Sequence, residues 1–212
     1  MSNYITAMER SVAEYTEKRS KFIATLCPCE TEEEAIAFIE EMRSKYWDAR
    51  HNVFAYTVNK GASSRFSDDG EPHGTAGKPI LDVIQGSSVK DIAIVVTRYF
   101  GGVLLGTGGL VRAYSKSAKD AIACAPLAEM TSCTVFKTEC EYTDHQRLVS
   151  LIESSGGNIE KSDYTDKVTL TYYFKDTEVE PFLPKLSETF SARITAKEYE
   201  KRILPTPIEN IL

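Results

Sequence analysis

Apolar and polar positions alternate through this chain in two distinct regimes, and the stretch between them is dominated by glycine. Ser20 to Cys29 is an apolar run containing Phe22, Ile23 and Leu26, which predicts a strand. Thr31 with Glu34 forms a capping-box pattern, and Ala35, Ile36, Ile39, Met42 and Tyr46 recur at helical spacing, so a helix is expected from Glu32 to Tyr46. Asp48 to Lys60 predicts a second strand, with Val53, Ala55 and Thr57 on one parity and Phe54, Tyr56 and Val58 on the other. Asp91 to Phe100 has an unbroken apolar centre rich in β-branched residues, the signature of a strand buried on both faces. A short helix from Pro79 to Gly86 precedes it, and a longer one from Gly109 to Cys124 follows. The first twenty residues are polar with scattered tyrosines and predict no element.

The pattern changes near Pro126 to Met130. Beyond it come a strand at Thr134–Tyr142, a helix capped by Asp144 with Leu148 and Ile152 on its apolar face, and two strands on either side of Thr165-Asp166. A helix follows, with Pro181 and Pro184 placed in or near its first turn, and Ala192 to Glu200 predicts a closing strand. This βαββαβ order is the ferredoxin-like plan. The expected organisation is therefore an α+β chain with one domain over residues 1–130, a second over 131–205, and an extended tail over 206–212.

Composition is ordinary for a soluble globular chain, with 42% hydrophobic and 26% charged residues. The N-terminus is too charged for a secretory signal and no apolar run is long enough to span a bilayer, so a cytoplasmic protein without membrane contact is expected. Five cysteines, with Cys27-Pro28-Cys29 the one close pair, match no structural zinc spacing and read as free thiols. Net charge is −6, with 15 basic and 17 acidic residues before position 130 and 10 and 14 after it. Neither half suits broad wrapping of duplex nucleic acid, which leaves a local basic pocket as the way to hold phosphate.

The candidate chemistry lies in Phe66 to Tyr114, which holds nine of the twelve glycines. Gly101, Gly102, Gly106, Gly108 and Gly109 lead from a strand into a helix, where freed backbone N–H groups can take an anion. The run matches neither the P-loop nor the dinucleotide fingerprint, and tight structural packing is the competing reading. Arg98 ends the buried strand and Arg112 lies one turn into the next helix, so both can face one cleft with His73 and Lys78. Equally, Arg98 can pair with Asp68, Asp69 or Glu71 to pin the long loop. Those carboxylates with His51 and His73 also offer an oxygen-rich divalent-metal site, against their ordinary use as turn formers and caps. No cofactor is otherwise indicated, and no nucleophile and base can be paired from spacing.

Two long motifs, FSDDGEPHGTAGKPIL and VVTRYFGGVLLGTGGLVRAY, together with DARHNVFAY upstream, resemble the signature of the YigZ/IMPACT family in its bacterial two-domain form. The resemblance implies an N-terminal domain like the second domain of ribosomal protein S5 and a ferredoxin-like domain similar to one in elongation factor G. It also implies a translational regulator that is not an enzyme, with RNA, the ribosome or a translation factor as partner. In that reading Arg98, Arg112, Lys78 and His73 contact phosphates, and Tyr172 or Tyr173 stacks on unpaired bases. The alternative is an enzyme that binds a nucleotide or phosphorylated small molecule in the same cleft, and oligomeric state stays open.

Overall fold

The structure is a computed structural model that describes residues 4–208. It divides into two compact units, one of residues 130–204 and one formed by the residues up to 129 together with those from 205 onward.

The first unit is built on an antiparallel sheet of β2 (Ser11–Glu17), β3 (Ser20–Pro28), β4 (His51–Val58), β5 (Ser63–Ser67) and β6 (Ile92–Tyr99), in the order β2-β3-β6-β4-β5. β6 is central and all but its last residue are buried, as its unbroken apolar run requires. Because side chains alternate across a strand, the sheet carries two cores. Phe22, Ala24, Val53, Ile94 and Val96 pack against α2 (Gly77–Gly86) and α3 (Gly106–Cys124). Cys27, Tyr56, Ala93 and Val95 pack against α1 (Glu32–Lys45). The capping box of α1 forms as its sequence predicts, with Thr31 accepting from the Glu34 N–H and Glu34 turning back to the cap.

Several elements depart from expectation. β1 (Tyr4–Ala7) and β2 occupy the segment that predicts nothing, and Ile5 pairs in parallel with Val89. β5 takes up part of the expected long loop. Ile208, in the segment expected to be an extended tail, donates its N–H to the Leu127 carbonyl at 3.1 Å and packs on the first unit's core.

The second unit orders β7 (Leu127–Cys140), β9 (Val168–Lys175) and β8 (Asn158–Tyr164) side by side, with β10 (Lys197–Pro207) on the other flank of β7. With α4 (Tyr142–Ser154) and α5 (Asp176–Thr189) this is the ferredoxin-like plan. Leu148, Ile152, Phe182 and Leu186 cover Leu170, Tyr172 and Phe174. Asp144 is not the cap of α4. Glu141 is, without a side-chain bond, and Asp144 sits in the first turn paired with Arg193. Pro181 and Pro184 lie in the interior of α5 because that helix starts five residues earlier than the first proline. The burial of Phe182 and Leu186 offsets the N–H donors that the two prolines lack.

Candidate functional site

The acidic loop between β5 and α2 is a set of hydrogen-bond acceptors for its own chain. Asp68 Oδ1 accepts from the Ala76 and Gly77 N–H groups at 3.1 and 2.9 Å, and Oδ2 from Gly74 at 2.8 Å. One carboxylate thus fills the positive N-terminus of α2, which has no acidic residue in its own first turn. Asp69 accepts from the Asn52 N–H at 2.6 Å, and its carbonyl lies 2.7 Å from His51 Nδ1. A carbonyl only accepts, so Nδ1 carries a proton and His51 turns Nε2 toward Glu71, 4.0 Å away.

Glu71 is the centre of the site. Its Oε1 accepts from Arg98 Nη1 at 2.5 Å and from the Tyr114 hydroxyl at 2.9 Å. The side chains of Arg98 and Glu71 are 7% and 4% exposed, so this ion pair is desolvated. Burial, followed by the neighbouring Glu71 charge, pushes the Tyr114 hydroxyl far above its usual range, and it remains a donor. The guanidinium lies between the rings of Phe22 and Phe100, 5.5 and 5.6 Å from their centroids, and Nη2 reaches Ser20 Oγ at 3.4 Å. Arg98 Nε is buried with no hydrogen-bond partner among the described residues.

These groups form the floor of a cleft of about 400 Å³ whose rim carries Arg50, Phe100 and Leu104. One wall is the start of α3, through Gly106 and Thr107. Gly106 has φ +70°, which reverses the chain into the helix, and α3 has neither a side-chain cap nor an acidic residue in its first turn. The two helix N-termini therefore differ: that of α2 is filled from within, and that of α3 opens on the cleft.

A groove of about 560 Å³ adjoins the cleft, Leu105 lining both. It gathers Lys18, Arg112, Lys116 and Lys119 against Glu17 and Asp120. Lys116 pairs with Asp120 at 2.9 Å, and Glu17 accepts from the Tyr15 hydroxyl. Lys18, Arg112 and Lys119 have no ion-pair partner among the described residues, which gives a chain of net charge −6 one locally basic surface.

The structure brings together His51, Glu71, Arg98 and Gly106 of the residues singled out in the sequence. It does not bring the other basic residues to them. The His73 ring is fully exposed, 3.7 Å from Asp68; Lys78 pairs with Asp82 on α2; Arg112 belongs to the groove. Gly101 serves close approach, since a Cβ there would lie 2.0 Å from the Arg19 carbonyl carbon. Gly102 is in the turn beyond it, while Gly108 and Gly109 are inside α3 and not in a loop. Among the described residues no group of three or more His, Cys, Asp or Glu side chains is placed to hold a metal, and Asp68, Asp69 and Glu71 each serve a different partner. Tyr172 cannot stack on a base, being buried with its hydroxyl bonded to Thr138 Oγ1, whereas Tyr173 is half-buried. Lys116 and Lys119 escaped the sequence reading, although their spacing from Arg112, four and seven residues, places all three on one helical face. No helix of the described residues is long and apolar enough to cross a membrane.

Residues 18–122 match the model of the Impact N-terminal domain, and residues 138–193 match a Domain of unknown function (DUF1949). IMPACT family member YvyE of Bacillus subtilis is 32% identical over 212 residues, covering 100% of this chain and 98% of that protein. The chain belongs to the IMPACT family. Its likeness to IMPACT family member YigZ of Escherichia coli is 40% identity, over 81% of this chain and 85% of that one. A solved structure titled "Crystal structure of an hypothetical protein" matches with TM-score 0.61 and 34% identity, over 94% of this chain and 98% of that one. The Impact N-terminal match contains the whole acidic loop, the Arg98–Glu71 pair and the basic face of α3. In this chain the cleft lies wholly within the Impact N-terminal match, and the groove lies within it except for Tyr15 and Glu17.

Proposed function

We propose that this IMPACT family member is a non-enzymatic binding protein of the translation apparatus, and that it holds single-stranded RNA along the groove of α3. The observation that carries the reading is the collection of Lys18, Arg112 and Lys119 in one groove beside the open N-terminus of α3. Both are phosphate-binding devices, and the exposed Phe100 at the rim supplies a ring for an unpaired base. The family resemblance supplies the link to translation. The non-enzymatic reading is supported by how the cleft's titratable groups are used. Glu71 is occupied by Arg98 and Tyr114, and His51 Nδ1 by the Asp69 carbonyl.

The test is fluorescence anisotropy of a labelled single-stranded RNA at several salt concentrations, with the Arg112→Ala/Lys119→Ala variant alongside. Three phosphate contacts predict a log–log salt slope of about −2, and the variant a slope of about −0.7. Absence of binding at low salt, or binding indifferent to both salt and the variant, overturns the reading. The second reading, an enzyme for a nucleotide or phosphorylated small molecule, is favoured by the unfilled start of α3 alone. Free mononucleotides that compete with the RNA at equal concentration would support it.

A further inference from the structure

Cys27-Pro28-Cys29 lies at the end of β3, on the α1 side of the sheet and outside both the cleft and the groove. Alternation along an extended chain turns residues two apart to the same face, and both cysteines line a single pocket of about 470 Å³. Cys27 is 8% and Cys29 2% exposed. Arg10, from the turn before β2, reaches across and directs Nε at Cys27 Sγ, 3.3 Å away. The guanidinium is fixed there from two other sides. Glu41 of α1 accepts both Nη groups, at 2.7 and 2.8 Å, and the Phe38 ring lies 5.3 Å from the guanidinium carbon. An arginine held by a bidentate carboxylate, with its third edge spent on sulfur, is an arrangement that packing alone does not require.

We propose that Cys27 is a thiolate held by Arg10 and that it is an oxidation site for hydroperoxides, with Cys29 as the second thiol. The Cys27 sulfur attacks one oxygen of the hydroperoxide, the O–O bond breaks, and the departing alkoxide or hydroxide takes the Cys29 thiol proton. Cys27 is then a sulfenic acid and Cys29 a thiolate. Cys29 attacks the Cys27 sulfur, the S–O bond breaks and hydroxide leaves, so two thiol sulfurs are oxidised and one peroxide is reduced.

The charges around the pair agree with this assignment. The Cys29 thiol and Arg10 outweigh desolvation and hold Cys27 at about 6, well below an ordinary thiol, with Glu41 opposing. The neighbouring Cys27 sulfur, with burial, pushes Cys29 far up, so it keeps its proton until Cys27 is oxidised. Glu30 and Glu34 also line the pocket, and Glu34 acts on Cys29 in the same direction.

The experiment uses the full chain carrying Cys124→Ser, because Cys124 is exposed and would dominate alkylation. Cys133 and Cys140 are buried, and burial pushes both upward, so they react last. Iodoacetamide labelling of the Cys27–Cys29 peptide is followed by mass spectrometry against pH. Rates between pH 7 and 9 should rise by only about 1.1-fold, where an ordinary thiol rises by roughly 25-fold. This ratio is the right readout, because the weaker nucleophilicity of a low-pKa thiolate offsets much of its greater abundance at any single pH. Arg10→Met, with Arg10→Lys as a second variant that keeps the charge without the fork, should restore a rise of more than about fivefold in the Met variant. Peroxide should then give a Cys27–Cys29 disulfide in the parent, and a dimedone adduct on Cys27 in Cys29→Ser. A steep parent profile overturns the thiolate, and a flat one in Arg10→Met overturns its assignment to Arg10. A parent that stops at sulfenic acid overturns the part given to Cys29.

Discussion

Removing Glu71 while leaving Arg98 in place tests whether the acidic loop is bound to the sheet by a desolvated charge pair. Glu71→Leu leaves a guanidinium that is 7% exposed facing hydrocarbon and deprives the Tyr114 hydroxyl of its acceptor. Breaking a buried pair by deleting one partner costs about 3–5 kcal/mol, and the lost hydrogen bond from the Tyr114 hydroxyl to the charged carboxylate about 1.5–3 more. At a urea m-value of about 2 kcal/mol/M, the first unit's unfolding midpoint should fall by roughly 2–4 M. Urea titration followed by circular dichroism measures the change, and hydrogen exchange locates it. Amides of β6 and α3 should lose protection while those of α4 and β9 keep theirs. Arg98→Met should behave like Glu71→Leu, and the double variant should recover to within about 2 kcal/mol of the parent, because no unpaired charge is left. Single variants that each cost under about 1 kcal/mol and add in the double would refute the argument. The same reasoning gives Arg98 a part in the fold, so RNA binding by Arg98→Ala is to be read beside its urea midpoint.

Two other perturbations test the loop and the glycines. Asp68→Ala strands three N–H groups at the start of α2 and should cost about 1–2 kcal/mol with faster proteolysis between residues 68 and 77, while Asp68→Asn, which retains one oxygen, should recover part of it. Gly101→Ala places a Cβ 2.0 Å from the Arg19 carbonyl carbon and should prevent folding to a soluble protein, whereas Gly86→Ala, with nothing within 4 Å, should be neutral or stabilise by up to about 1 kcal/mol in thermal melts.

Elements with strong apolar periodicity were readable from the chain alone, and those whose pattern is inverted or weak were not. β6 and β9 announce themselves, the first by an unbroken apolar run and the second by Val168, Leu170, Tyr172 and Phe174 alternating inward. β2 hides because its inward positions are Ser11, Ala13 and Tyr15 while the apolar Val12 points outward. β5 is an edge strand of serines, one arginine and the exposed Phe66, too little for a hydrophobic pattern to show. Glycine misplaced the start of α3, since its poor helix propensity suggests a loop where packing on the sheet makes a helix turn. At the site, the pairing of Arg98 with a loop carboxylate was one of the readings on offer. The scatter of His73, Lys78 and Arg112 was not, because it depends on which face of each helix meets the sheet, and Tyr114 joins Glu71 across 43 residues of sequence.

Ile208 closes on Leu127, and between them lie some eighty residues that fold as the other unit. During synthesis the first unit's sheet and helices are all made before residue 130, yet the segment that returns to its core is made only after the second unit is complete. The order of assembly is therefore nested, as with brackets: the outer pair closes last. Anything that delays the second unit leaves the first with a seam unsealed.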